Sequence, residues 1–413
     1  MRLNAQTLNE FVSRSDALGG PSAAACLQFF GGLQYEPSVP LDQQANPTSP
    51  EYLRQQMALY AEIAGHDYQD VRDEQTPGVF GDRLLHAPNA YNLASPAAYA
   101  EHCVAIGLLV RKLDLPRGSR ILELGSGWGV VQEFLAACGF ETIGIDANPD
   151  FVATCNARLE RLGFGTRVEV GTFDSVRRDT RGVFDAVVAY EAFHHAVDAY
   201  DLLKRSVGCL TDDGVFALAA EPFNDYYCSW GLRLDPMSIY CVRKFGWFES
   251  GWSPEYMAYL FGRCGMIAEF DDMPGSDLTR YMLGRKSEKR TTRQLGLWNP
   301  AVRASLHVED SHCFAKPSSR LLVPTVGLVE KLSLRVINHG VRPLAVDLQV
   351  GGRRRTFNVP TGETVLAMPI AQMSTHSRDI AVDIESETFC PRDEGINADA
   401  RSLGICINGV ELH

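Results

Sequence analysis

Residues 121–130 read ILELGSGWGV, and residues 141–150 read ETIGIDANPD. Arg120 to Leu124 is a short apolar run of strand type. Gly125-Ser126-Gly127-Trp128-Gly129 is a tight turn, and Val130 to Cys138 is a helix that Gly139 can close in a left-handed cap. Glycines at 125, 127 and 129 let the backbone approach a bound molecule, and the helix start offers N–H groups without intrahelical partners. Thr142 to Ile145 is a second strand that delivers Asp146 at its carboxyl end, where an acid is placed to bind both hydroxyls of a ribose.

Glycine spacing separates the two nucleotide-type cofactors that fit this geometry. The dinucleotide fingerprint G-x-G-x-x-G needs its third glycine at position 130, which is Val130. The pattern here is G-x-G-x-G, preceded by Glu123. With no pyrophosphate to cradle, an acid before the turn is tolerable, and it suits a ligand carrying a positive amino group. Val130 and Glu123 therefore disfavour a nicotinamide oxidoreductase.

The arrangement resembles motif I of the class I S-adenosylmethionine-dependent methyltransferases, and ETIGIDANPD resembles the segment that follows it, the likeness running from about Tyr91 to Lys286. The resemblance implies a doubly wound, Rossmann-like α/β fold with a seven-stranded sheet, and S-adenosylmethionine as cofactor. It implies a cofactor set of Glu123, Gly125, Ser126, Gly127, Gly129, Asp146, Ala147, Phe173, Asp174 and Tyr190. In that set Asp174 accepts the adenine amine and Phe173 flanks the ring; a turn or cap role is the other reading of Asp174. Asn89, Tyr91 and Asn92 lie where related enzymes cover the methionine end, with an ordinary loop as the alternative. GSGWG is also similar to the GCGWG of the cyclopropane fatty acid synthases, without an accompanying match elsewhere.

The length of 413 residues predicts two or three domains. Net charge of −12 argues against a general electrostatic grip on nucleic acid or anionic lipid. The dense basic runs, 286–294 and Arg353-Arg354-Arg355, read as solvated decoration. Eleven cysteines without a C-x-x-C pair read as reduced thiols of a cytoplasmic protein. The amino terminus has no signal-peptide pattern, and no run approaches the roughly 18 apolar residues of a membrane span.

Taken in order, residues 1–50 read as a partly ordered lead-in and linker, with a helical cap beginning at Pro50 to Ile63. Ser95-Pro96 starts a helix through Leu113, Asn148-Pro149 one through Leu162, and Tyr200 to Leu210 forms another. Further strands are Arg167 to Val170, Phe184 to Tyr190 and Val215 to Ala220, then a closing pair, Ile267 to Phe270 and Arg280 to Gly284, which complete a methyltransferase domain over 51–290. An aromatic insertion, 221–252, sits where the family elaborates its substrate pocket, and Tyr91, Tyr226, Trp230, Trp247 and Trp252 are its candidate acceptor residues. After a linker at 291–315, alternating runs from 331 to 412 predict a β-sandwich or jelly roll over 316–413. Its ending, with DARSLGI, is similar to accessory β-domains of bacterial envelope-polysaccharide enzymes.

A sulfonium methyl group needs alignment with a nucleophile, and a hydroxyl acceptor also needs to lose a proton. His195, then His194, then Glu191 are the candidates, because they follow the fourth strand at the carboxyl edge of the sheet. A histidine packed over the cofactor is the alternative. Asp198, Glu221 and Asp225 can be gathered in space, but with no H-E-x-x-H and no cysteine-histidine array, no metal is expected. These readings favour O-methylation of a saccharide in polysaccharide biosynthesis, with homo-oligomer or glycan-assembly contacts through the β-domain. The rivals are a methyltransferase for a small aromatic or lipid metabolite, and a noncatalytic cofactor-binding module.

Overall fold

The computed structural model describes residues 2–42, 45–75, 85, 95–176, 182–224, 229–273, 276–286, 291–292, 295–309, 312–324, 327–375 and 379–413. Strands β1 (Arg120–Leu124), β2 (Glu141–Asp146), β3 (Arg167–Val170), β4 (Phe184–Tyr190) and β5 (Leu210–Ala219) form the body of the first sheet. After a hairpin of β6 (Trp230–Leu232) and β7 (Ser250–Trp252), β8 (Met266–Asp272) and β9 (Arg280–Lys286) complete it in the order β3-β2-β1-β4-β5-β9-β8. The pairs β1–β2, β1–β4, β2–β3 and β4–β5 are parallel, so Leu124, Asp146 and Tyr190 end at one edge. The order reverses between β1 and β4, and such a switch point opens a crevice at the carboxyl ends of the strands.

Helices cover the sheet for reasons visible in their ends. Ser95 accepts from the Ala98 N–H, and Pro96 fills the first turn of Pro96–Leu113, whose Ala105, Ile106 and Leu109 pack with Ile121, Ala186 and Val188. Asn148 caps Pro149–Arg161 through the N–H groups of Asp150 and Phe151. Gly139 and Gly163 take positive φ, 88° and 74°, just beyond the helices they follow.

Residues 1–50 are not a bare lead-in. They hold the helices Leu8–Ala17 and Ala24–Phe30, whose Leu8, Phe11, Cys26 and Phe30 share one core with Leu59, Tyr60 and Ile63 of Pro50–Ala64 and with Ile239, Tyr240 and Phe248 of the aromatic insertion. The two segments are one helical cap. Trp230 donates its ring N–H to Pro47 O at 2.9 Å and packs edge-on to Tyr52, which ties insertion to amino-terminal region.

The chain divides into two compact units, Met1–Trp252 with Phe270–Leu283, and Ser253–Glu269 with Gly284–His413. In the second, β10 (Thr291–Thr292), β11 (Leu306–Val308), β12 (Cys313–Ala315), β13 (Ser318–Val323), β14 (Gly327–Asn338), β15 (Leu344–Val350), β16 (Arg353–Val359), β17 (Gly362–Thr375), β18 (Ile380–Ser386) and β19 (Cys406–Leu412) build two sheets. One runs β11-β12-β19-β14-β17 with β10 on β19, and the other β13-β18-β15-β16. Alternating residues such as Leu332, Leu334, Val346, Leu348, Val382 and Ile384 meet in one core. The segment 291–315 is part of this unit and not a linker, because Leu295, Val302, Leu306 and Cys313 belong to that core and Trp298 packs against Tyr256 and Tyr259. No described helix is long and apolar enough to cross a membrane.

Candidate active site

The crevice at the switch point is a cavity of about 1270 Å³, lined entirely from the first unit. Its floor is the glycine turn. Gly125, Gly127 and Gly129 have φ of 70°, 47° and 75°. Two of these positions matter differently. A Cβ at Gly129 would fall 2.2 Å from Cys155 Sγ, whereas one at Gly127 would meet nothing within 4 Å, so Gly127 leaves open space on the turn. Gly129→Ala is expected to lower unfolding free energy by about 2 kcal/mol or more, from left-handed strain plus the clash with buried Cys155. Denaturant titration of the variant checks this, and an unchanged midpoint would contradict the packing described.

Asp146 sits where the sequence predicts. Its carboxylate accepts from the N–H groups of Gly127 at 2.7 Å and Asn148 at 2.8 Å, which locks the turn to the end of β2. That takes two of its roughly four acceptor positions. Glu123 is 1% exposed, and its Oε2 has no hydrogen-bond partner among the described residues. Burial, opposed by the Ser126 hydroxyl and reinforced by the Asp146 charge, pushes its carboxyl up to about 8. A buried acid with one oxygen unpartnered among the described residues, beside an open glycine turn, fits a ligand that brings a positive group.

Other members of the expected cofactor set line the same cavity: Ser126, Ala147, Phe173, Asp174 and Tyr190. Phe173 begins a single 3-10 turn at the end of β3, and Asp174 pairs with Arg205 at 3.2 Å with its side chain 83% exposed, at the rim. The Tyr190 hydroxyl is 2.8 Å from His102 Nδ1, a partner without a sequence signal.

The adjoining wall is built on the turn after β4, where a Cβ on Gly125 would fall 2.5 Å from Ala192 Cβ. Glu191 has φ 48°, a strained value for a residue with a side chain, and Phe193–His195 forms a 3-10 turn. Glu221 holds that turn from behind: it accepts from the backbone N–H groups of Ala192, Phe193 and His194, and lies 2.9 Å from His194 Nδ1. Burial alone would raise the Glu221 carboxyl, but the His194 ring and these N–H groups outweigh it and hold the carboxyl low.

His195 Nδ1 faces Glu74 Oε2 at 3.2 Å, and its ring meets Trp247 edge-on. Burial works against the charged imidazole, yet Glu74, Glu249 and Glu221 together raise it to about 9. Glu74 is itself anchored, accepting from the Phe248 N–H at 2.9 Å and the Tyr68 hydroxyl at 3.0 Å. Glu191 moves up to about 8, first through burial and then through the charges of Glu221 and Glu249.

The structure therefore brings His194, His195, Glu191 and Trp247 to the cavity, and adds Glu74 and Glu249, which no motif marks. Two expected acceptor residues are elsewhere. Trp252 is fully buried against Phe193 and Phe223, and Trp230 pairs opposite it in the β6–β7 hairpin and packs on the cap, because a hairpin between the insertion's ends needs apolar cover on both strands. Tyr91 and Tyr226 lie outside the described residues.

Residues 122–216 match the model of a family described as a methyltransferase domain. The chain is 33% identical over 168 residues to the ubiquinone biosynthesis O-methyltransferase of Paramagnetospirillum magneticum, covering 40% of this chain and 63% of that protein. To the enzyme of the same description from Bradyrhizobium diazoefficiens it is 29% identical over 110 residues, covering 27% and 43%. The chain thus spans less than two thirds of these relatives. Among solved structures, the YcgJ protein from Bacillus subtilis aligns with 16% identity and a TM-score of 0.38, over 45% of this chain and all of that one. The family match falls on the strands, turn and acid that floor the cavity: over residues 122–216 the chain is similar to methyltransferase domains.

Proposed function

We propose that the whole protein transfers a methyl group from S-adenosylmethionine to a hydroxyl oxygen of a small acceptor. The observation that carries this reading is that the glycine turn, Asp146 and the His194–His195 pair all line one cavity. The cofactor supplies an already activated methyl group, leaving the protein to orient, exclude water and take a proton. Asp146 is assigned to the ribose, Phe173 to the adenine face, and Glu123 to the amino group at the methionine end. The histidine pair is assigned to the acceptor hydroxyl, with Trp247 as the aromatic surface beside it. The O-methyltransferase names of the two relatives support oxygen as the acceptor atom.

A saccharide acceptor rests on the likeness of the carboxyl-terminal segment to polysaccharide enzymes, and it loses support from the burial of Trp252 and the packing of Trp230. A phenolic ring fits Trp247 equally well. Incubation with methyl-labelled cofactor and a panel of nucleotide sugars and phenols tests the reading. Label in an ether of either class is the expected result, and label only on nitrogen or carbon acceptors contradicts it.

Glu123 gives this assignment a pH signature. Raised to about 8, its carboxyl is protonated at neutral pH, and the ligand-free fold loses stability as the pH climbs from the ordinary carboxyl range through that value. Seating an ammonium against it favours the carboxylate, so about one proton should leave per cofactor bound near pH 7. Calorimetry in buffers of different ionisation enthalpy reads that proton. Glu123→Gln should abolish the release, and a release unchanged in the variant would remove Glu123 from the methionine end.

A further inference from the structure

We propose that His194, His195 and Glu249 hold a divalent transition-metal ion on the acceptor wall of the cavity. One ring nitrogen of each histidine and a carboxylate oxygen of Glu249 lie within 4.8 Å of one another. Ligands about 2.0–2.2 Å from a common ion can be separated by up to roughly 4 Å, so a small inward movement of side chains completes the site. His194 Nε2 and Glu249 Oε2 are already 3.8 Å apart.

What distinguishes the cluster from a chance meeting of polar side chains is the layer behind it. Glu221 Oε2 lies 2.9 Å from His194 Nδ1, and Glu74 Oε2 lies 3.2 Å from His195 Nδ1. At His194 this contact is a hydrogen bond, which fixes the tautomer and leaves the lone pair on Nε2, the arrangement that orients metal-ligating histidines; at His195 it is an ion-pair contact without hydrogen-bond geometry. Both carboxylates are held in turn, Glu221 by three backbone N–H groups and Glu74 by Tyr68 and the Phe248 N–H. In addition, Glu191 Oε2 is buried on the same wall and has no hydrogen-bond partner among the described residues.

Charge points the same way. Glu74, Glu221 and Glu249 each face a ring nitrogen of the histidine pair, and Arg233, 3.6 Å from Glu249 Oε2, is a permanent cation beside them. A divalent ion would offset the remaining carboxylates. Two imidazoles with one carboxylate suit zinc, iron(II), manganese or cobalt, whereas magnesium prefers an all-oxygen set.

Sequence spacing gave no hint of this site because its ligands come from two segments more than fifty residues apart. Resting on the O-methyltransferase reading, the ion's role would be to lower the pKa of the acceptor hydroxyl. The proton leaves to a carboxylate of the cluster, the oxygen forms its bond to the methyl carbon, and the carbon–sulfur pair of electrons stays on sulfur in S-adenosylhomocysteine.

The test is titration of the full chain, stripped with a chelator, with cobalt(II) chloride, followed by visible absorption and metal analysis, beside calorimetry with S-adenosylhomocysteine on the same samples. The expected result is a stoichiometric cobalt site that is lost in Glu249→Gln and His194→Gln and weakened about 10–100-fold in Glu221→Gln. Retained S-adenosylhomocysteine binding shows that these variants fold. A chain that binds S-adenosylhomocysteine but no cobalt, or binds cobalt equally well in Glu249→Gln, overturns the metal site. Cobalt binding without S-adenosylhomocysteine binding leaves the metal site standing and overturns the transferase reading.

Discussion

His195→Ala is expected to keep S-adenosylhomocysteine affinity and to lower turnover by about 10²–10⁴-fold, the range associated with losing proton transfer from a hydroxyl acceptor. The two readouts separate because His195 is on the acceptor wall, anchored by Glu74, while the cofactor floor is held by Asp146 and the glycine turn. Loss of the ring removes the imidazole and leaves Glu74 facing an empty space, yet Glu221 still holds the turn through three backbone N–H groups. Single-turnover rates with labelled cofactor measure the effect on chemistry, free of product release. A variant with a normal rate would assign His195 to packing, and a variant that also loses the cofactor would place it in the binding floor. The turnover loss follows whether His195 takes the acceptor's proton from its neutral form, populated as the pH rises toward its raised value of about 9, or holds an ion, and the cobalt titration distinguishes those roles.

The second large effect is at Asp146. Asp146→Ala should weaken cofactor binding by about a hundredfold, near 3 kcal/mol, since hydrogen bonds to a charged group contribute about 1.5–3 kcal/mol and their loss strands partners. Those partners are the N–H groups of Gly127 and Asn148, so the variant both loses the ribose acceptor and loosens the turn. Asp146→Asn separates the contributions: one amide oxygen can retain an N–H while the charge is lost, so an intermediate affinity is expected. Calorimetric affinity of both variants is the measurement, and wild-type affinity in Asp146→Ala would remove Asp146 from the ribose site.

How far such a site can be read without coordinates depends on whether its parts are local in the chain. The floor is local: strand, glycine turn, helix and Asp146 occupy one βαβ unit, and β1, β3 and β4 have the predicted bounds, β1 and β4 as short apolar runs closed by a turn. The histidine wall is assembled by tertiary folding. Glu74 arrives just after the helix Asp70–Asp73, Glu221 just after β5 and Glu249 just before β7, and no spacing rule links them to His194.

The tryptophans show the same limit from another side. Trp230, Trp247 and Trp252 look alike as members of an aromatic stretch, but pairing of Trp230 with Trp252 in the β6–β7 hairpin turns one of them into core and leaves Trp247 on the cavity. The amino-terminal helices escape the sequence reading, since only Leu8 and Phe11 mark the buried face of the first, its third buried position being Ser15. Their shortness and the glycines and prolines around them hid that pattern. In the second unit the alternating runs from 331 onward match β14 to β19, whereas β11 and β12 are only three residues each and carry too little alternation to be recognised.

The most direct measurement of the central reading is calorimetric titration of the full chain with S-adenosylhomocysteine, with NADH titrated in parallel. One-to-one binding of S-adenosylhomocysteine without binding of NADH is the expected result. Binding of NADH in its place would contradict a methyltransferase site built on Glu123, the glycine turn and Asp146.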